Sequence, residues 1–267
     1  MNISSRIQQG FPTMQARRLL LIALANSLEL LVACTAQPVS HITAPTAQPV
    51  AQRIASKPVE EVKLKTSDGW TIVGNLYQPS GKTQGAIVLL HQRNGTAADW
   101  QPLATALQQS GFSVLAIDQR GAGRSTQGPG PTGDNAPWET GQDIAAAVAS
   151  FPKQLPIGLA GASYGANNAL IYAASHPLQV KALTLLSPGA NYNGLDALAA
   201  GRSNHSALLI YHSRDDSIAG SGPQQINTLS PAQNHKLVVL NGTAHGTALL
   251  SPQVIRDVVK FFQSSLS

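Results

Sequence analysis

Leu155-Pro156-Ile157-Gly158-Leu159-Ala160-Gly161-Ala162-Ser163-Tyr164-Gly165-Ala166-Asn167-Asn168-Ala169-Leu170-Ile171-Tyr172-Ala173-Ala174 is the stretch on which the reading of the whole chain turns. Ile157 to Ala162 is an apolar run of strand length, and Tyr164 to Ala174 has the composition and length of a helix. Ser163 stands at the junction. Two residues before it and two residues after it are glycines, Gly161 and Gly165. A serine held on a sharp turn between a strand and a helix needs neighbours without bulk at those two places, so that the two elements can approach each other. The G-x-S-x-G spacing alone arises readily by chance, and its place between a strand and a helix is what gives it weight.

Outward from this stretch, strand-like and helix-like runs alternate. Val59 to Thr66 and Trp70 to Tyr77 flank Ser67-Asp68-Gly69 and predict a β-hairpin. Ala86 to His91 and Phe112 to Asp118 read as buried strands, with a helix opened by Asp99 and running to Gln109 between them. Beyond come a helix over Glu139 to Phe151, strands over Val180 to Leu186, Ala207 to Tyr211 and Lys236 to Leu240, and a closing helix over Val254 to Phe262. Strands apolar on both faces and separated by helices imply an α/β class: a mostly parallel central sheet covered by helices on both faces, with an antiparallel hairpin at its start. In such sheets ligands sit at the carboxyl ends of the strands.

Two further segments fall at such ends. Asn241-Gly242-Thr243-Ala244-His245-Gly246 follows the last apolar strand, where His245 can act as a general base. Leu208-Leu209-Ile210-Tyr211-His212 runs into Ser213-Arg214-Asp215-Asp216-Ser217-Ile218, which carries two carboxylates. The order Ser163, Asp216, His245, together with His91-Gln92-Arg93-Asn94-Gly95 and Asp118-Gln119-Arg120-Gly121-Ala122-Gly123-Arg124-Ser125, resembles the α/β-hydrolase superfamily over about residues 59 to 265, closest in kind to esterases and dienelactone hydrolases with a short cap. The first of these segments is similar to the family's His-Gly oxyanion loop, with Gln92 where glycine is usual. The second is similar to its D-x-R-G-x-G-x-S segment.

The resemblance implies a serine hydrolase. Ser163 attacks, His245 takes its proton, and Asp216 fixes and stabilises the imidazolium. Asp216 aligns with the family acid through Asp216-Ser217-Ile218, with Asp215 as the alternative. The oxyanion of the tetrahedral intermediate needs two backbone donors, the amide of Tyr164 and that of Gln92 or Arg93. No residue distinguishes an ester from an amide leaving group. A carboxylesterase or related acyl hydrolase acting on a small-molecule ester or acyl substrate therefore leads over a peptidase or transacylase on the same three residues, and over a non-catalytic binding lipoprotein. About 19 residues separate the strand ending near Ser187 from the one starting near Ala207, which leaves room only for a short helix around Leu195 to Ala199 and a minimal cap. Thr126 to Pro137 reads as a rim loop.

Other conspicuous residues take plainer readings. His91 shapes the oxyanion loop, and Asp118, Arg120, Gly121 and Gly123 form a structural turn with an ion pair. Arg93 is a solvated loop arginine, while Trp100 and Trp138 are either pocket walls or packing. Gly121-Ala122-Gly123 lacks the remaining glycine of a dinucleotide fingerprint, so no such cofactor is expected. The chain has one cysteine, and its seven histidines show no metal-ligand spacing, so no metal is expected either. Of the formal charge of +5, Arg6, Arg17 and Arg18 against Glu29 supply two units, and no Lys/Arg cluster in the body suggests a nucleic-acid surface.

The N-terminus has a separate logic. Arg17-Arg18 precede Leu19 to Ala33, an apolar run shorter than the roughly 20 residues of a membrane span, which fits a secretory signal over residues 1–33. Leu31-Val32-Ala33-Cys34 resembles a bacterial lipobox, implying lipidation of Cys34 and a membrane-anchored protein of the bacterial cell envelope facing the extracytoplasmic side. Residues 34–58 hold prolines at 38, 45, 49 and 58 and a repeated Thr-Ala-Gln-Pro-Val, an extended tether to a catalytic domain over 59–267. If Cys34 carries the lipid, the full-length chain partitions into a detergent phase and its mature N-terminus carries an acyl mass increment. An unmodified Cys34 thiol in native membranes, read by mass spectrometry, overturns that expectation.

Overall fold

The computed structural model describes residues 57–267. The leader, Cys34 and most of the tether lie outside the described residues. The chain begins as an antiparallel hairpin, β1 (Glu60–Lys65) and β2 (Thr71–Tyr77), with Glu60 opposite Leu76 and Lys65 opposite Thr71. There follow β3 (Gly85–Leu90), α1 (Gln101–Gln109), β4 (Phe112–Asp118), α2 (Gly141–Ala149), β5 (Ile157–Ala162), α3 (Tyr164–Ser175) and β6 (Val180–Leu186). Two very short strands, β7 (Asn191–Tyr192) and β8 (Leu195–Asp196), pair antiparallel. The chain ends with α4 (Ala197–Ser203), β9 (Ala207–Ser213), α5 (Gly222–Leu229), β10 (His235–Leu240) and α6 (Pro252–Ser265).

The main sheet has the order β1-β2-β4-β3-β5-β6-β9-β10. It is antiparallel at β1–β2 and β2–β4 and parallel from β4 to β10. Every residue of β3, β4 and β5 is buried, which is why their sequences are continuous apolar runs rather than alternating ones. Val88, Leu90, Leu115 and Ile117 point to one face, where they meet Ile144 and Val148 of α2 and Ala166 and Leu170 of α3. Ile87, Leu89, Val114 and Ala116 point to the other, against Leu103 and Leu107 of α1 and Val254, Val258 and Phe262 of α6. The mostly parallel sheet with helices on both faces and antiparallel strands at its start is the architecture read from the sequence.

Some boundaries differ, each for a local reason. Asp99 does not open a helix: it lies in a 3-10 turn, Ala97–Trp100, and its carboxylate accepts the Thr96 N–H at 3.0 Å. The α-helix starts at Gln101, with Pro102 in the first turn, where a missing N–H costs nothing. The cap helix begins two residues later than Leu195, because Asp196 is its cap and accepts from the amides of Leu198 and Ala199 at 3.1 and 3.0 Å. Helix α5 was not foreseen. Its sequence is polar, and among its large apolar side chains only Ile226 is fully buried, so no apolar stripe announced it.

A buried ion network fastens the hairpin and the loop after β4 to α2. Arg120 contacts Asp143 through Nη2 at 2.8 Å and Nε at 2.9 Å, while the Arg120 amide donates to the other Asp143 oxygen at 2.8 Å. On its outer side Arg120 reaches Asp68 at 2.6 Å. The ion pair expected in this segment therefore joins Arg120 to α2 and the hairpin turn, while Asp118 pairs with Arg124 at 2.7 Å. The Asp143 side chain has no solvent exposure and that of Arg120 only 8%. Removing this acid leaves the buried guanidinium only the partly exposed Asp68 and strips the Arg120 amide of its acceptor, so Asp143→Ala is expected to lower stability by about 3 kcal/mol in denaturant titration. A loss below about 1 kcal/mol contradicts the network's role.

Candidate active site

Ser163 is the N-cap of α3 and sits at φ 53°, ψ −121°, a conformation that costs an L-residue about 1–3 kcal/mol. Its surroundings impose it. A Cβ on Gly161 would lie 2.3 Å from the Gly165 carbonyl oxygen, and a Cβ on Gly165 would lie 2.5 Å from the carbonyl oxygens of both Leu90 and His91. Strand, helix and the loop after β3 are thus packed backbone to backbone around the serine. Tyr164 is the first residue of α3, and its N–H lies outside the helical ladder, free to face a ligand.

The loop after β3 is held on both sides. His91 is buried; its Nδ1 donates to the Gln92 carbonyl at 2.8 Å, and its Nε2 accepts from the Gln119 amide at 2.9 Å. Burial pushes the imidazole pKa below its ordinary value, which suits a neutral ring that both donates and accepts. The Gln92 side-chain oxygen accepts from the Thr247 amide at 2.8 Å, tying this loop to the one that carries His245. Arg93, read from the sequence as a solvated loop arginine, is half-buried and held by the rim loop. Its Nη2 donates to the carbonyls of Asp134, Ala136 and Gly133 at 2.6, 3.2 and 3.3 Å, and its guanidinium lies 4.7 Å from the Trp138 ring centroid. Trp138 in turn meets Tyr164 edge-on at 5.8 Å. Trp100 is fully buried packing.

His245 follows β10, and its Nδ1 donates to the Asp216 carboxylate at 2.8 and 3.0 Å, leaving Nε2 for other work. Asp216 is buried, whereas Asp215 is exposed. The Asp216 carboxylate also accepts from the Ile218 and Ala219 amides at 3.1 and 3.2 Å. Burial pushes its pKa up, but hydrogen bonds from Ser187, His245 and Ala219 outweigh that and hold it below the ordinary carboxylate range. Its contribution to stability is therefore full above about pH 3.9, the unfolded value, and is lost as pH falls through the lower folded value.

Several residues at this end of the sheet were not singled out in the sequence. Ser187, just past β6 and at φ 52°, accepts the Gly246 amide at 3.1 Å and bonds to Asp216, so one hydroxyl spans the acid and the histidine loop. Asn167 of α3 holds the carbonyls of Gly189 and Leu195 at 3.1 and 3.0 Å, and Asn168 takes the Thr140 amide at 2.9 Å. Between them they fix the hairpin β7–β8 and the rim loop. The hairpin had a signal: Asn193-Gly194, both at positive φ, is the dipeptide that favours a tight two-residue turn. A cleft of about 550 Å³ lies at the opposite end of β5 and β6, beside Phe151, Leu155 and Leu178, away from the strand ends that carry Ser163 and Asp216.

Residues 85–204 match the family model described as alpha/beta hydrolase fold, a span that contains Ser163 but ends before Asp216 and His245. An esterase of Pyrococcus furiosus superposes with a TM-score of 0.63 at 18% identity, over 79% of this chain and 94% of that one. The fold is the α/β-hydrolase fold, and the family model and structural neighbours support that superfamily. The candidate protein-lysine deacylase ABHD14B of Homo sapiens is 25% identical over 178 residues, 65% of this chain and 80% of that protein. A proline iminopeptidase of Neisseria meningitidis is 31% identical over 133 residues, covering 47% of this chain and only 41% of that protein.

The two carboxylates are now separable by experiment. Asp216→Asn leaves the His245 imidazole without its anionic partner and is expected to lower turnover by about 10⁴-fold, whereas Asp215→Asn stays within about twofold. Steady-state kinetics on a p-nitrophenyl ester read both variants, and the reverse ranking would move the acid to Asp215.

Proposed function

We propose that the chain is a serine hydrolase, a carboxylesterase or related acyl hydrolase, working through Ser163, His245 and Asp216. The observation that carries this reading is the Asp216 carboxylate on His245 Nδ1, at 2.8 and 3.0 Å, at the same end of the sheet as the strained strand-to-helix turn of Ser163. A serine hydroxyl is a weak nucleophile and needs a base; His245 takes its proton as Oγ bonds to the acyl carbon, and Asp216 stabilises the resulting imidazolium. The amide of Tyr164 and that of Gln92 or Arg93 receive the oxyanion, each donor contributing about 2.7–4 kcal/mol to the barrier reduction. The leaving group departs with the proton from His245, and water then releases the acyl group from Ser163 by the same steps. Nothing in this scheme calls on a metal or an organic cofactor.

The substrate is a small ester or acyl compound. The similarity to a candidate protein-lysine deacylase and to a proline iminopeptidase keeps an amide leaving group as the second reading. In this proposal the catalytic domain is anchored to a bacterial membrane through lipidated Cys34 on the extracytoplasmic side, held off the bilayer by the Pro-rich tether. The described residues contain no helix long and apolar enough to cross a membrane.

Labelling with a fluorophosphonate tests the nucleophile. The wild-type chain is expected to label and to hydrolyse p-nitrophenyl esters, and Ser163→Ala to lose both with a nearly unchanged melting temperature. Labelling retained in that variant sinks the assignment, and a wild-type chain that neither labels nor hydrolyses supports a binding protein on the same fold.

A further inference from the structure

We propose that Tyr192 is a further catalytic residue of this site, a phenolic O–H donor that leaves the Ser187 carbonyl to hold the tetrahedral adduct formed on Ser163. The inference rests on Ser163 being the nucleophile.

Tyr192 lies in the small hairpin β7–β8 that takes the place of a larger cap. Its hydroxyl donates to the Ser187 carbonyl at 3.3 Å, one residue beyond the Leu186 carbonyl that accepts the Ser163 amide at 2.8 Å, and so lies beside the Ser163 side chain.

The position is built rather than incidental. Asn193-Gly194 closes the hairpin with both residues at positive φ, and Leu195, opposite Tyr192, is buried. Asn167 grips the hairpin at Leu195 and the preceding loop at Gly189. The Tyr192 ring packs where a Gly189 side chain would be, since a Cβ there would lie 2.4 Å from it. The hairpin backbone is therefore held by Asn167, and the ring rests against Gly189.

The chemistry follows from the length of one bond. At 3.3 Å the contact with Ser187 lies beyond the usual 2.5–3.0 Å of O–H···O bonds, so giving it up costs little. Once substrate enters, the Ser163 proton passes to His245 and Oγ bonds to the acyl carbon. The Tyr192 hydroxyl then turns its own O–H, by rotation about one C–O bond, from the Ser187 carbonyl onto the adduct. No proton leaves Tyr192 in this step. Burial pushes its pKa up to about 12, so it is a donor throughout the neutral range and not a base.

Tyr192→Phe keeps the ring against Gly189 and removes only the hydroxyl. In the full-length chain this variant is expected to lower kcat/KM for p-nitrophenyl acetate by about ten- to a hundred-fold, mostly in kcat, and to slow fluorophosphonate labelling in parallel. Its melting temperature stays within about 2 °C of wild type. Wild-type rates of hydrolysis and labelling in Tyr192→Phe overturn the inference while leaving Ser163 as the nucleophile. A rate loss accompanied by a large fall in melting temperature also overturns it, by making the hydroxyl structural. Absence of labelling in the wild-type chain overturns the hydrolase reading itself, and the role of Tyr192 with it.

Discussion

Helix α3 leaves the end of β5 through a turn so tight that its first residues touch the backbone of the neighbouring strand. Gly165 meets the carbonyls of Leu90 and His91, and Gly161 meets the carbonyl of Gly165. With no side chain at either place, Ser163 has a single conformation open to it, one that a free serine seldom adopts. The rest of the molecule supplies the force that maintains this strain. The sheet is buried on both faces by two apolar clusters, one of which clamps α3 against β3 and β6. The strained turn is stable because it is a small cost carried by a large core.

Polar side chains then organise the strand ends in the way apolar ones organise the core. His91 and Gln119 set the loop after β3, Asn167 and Asn168 set the loops that rim the serine, and Ser187 joins acid to histidine. Each is buried and satisfied by hydrogen bonds. Satisfied buried groups of this kind specify one arrangement and penalise others, since a shifted loop would leave a donor or acceptor without a partner.

The fold was legible because the signals that define it are local. Continuous apolar runs over β3 to β6, each bounded and each followed by a helical segment, leave little choice but a covered parallel sheet. The proximity of Asp216 and His245 was legible through their order and their positions just beyond strands. What escaped was whatever depends on contact between distant segments. Arg93 looked like a loop cation, yet three carbonyls from 40 to 43 positions away receive its guanidinium. Helix α5 lacked an apolar stripe because only one large side chain needs to be buried there. Tyr192 carried no chemical motif, and its only trace was the turn dipeptide after it.

The bond from Gln92 to Thr247 joins positions 155 apart in the chain. In the sheet, β3 and β10 are separated by β5, β6 and β9. This contact therefore closes only after every intervening strand has been added, and the entropy of so long a closure is offset only when the sheet is complete. On the proposed roles of these two loops, the places for an oxyanion and for a proton are brought into register only in the completed sheet.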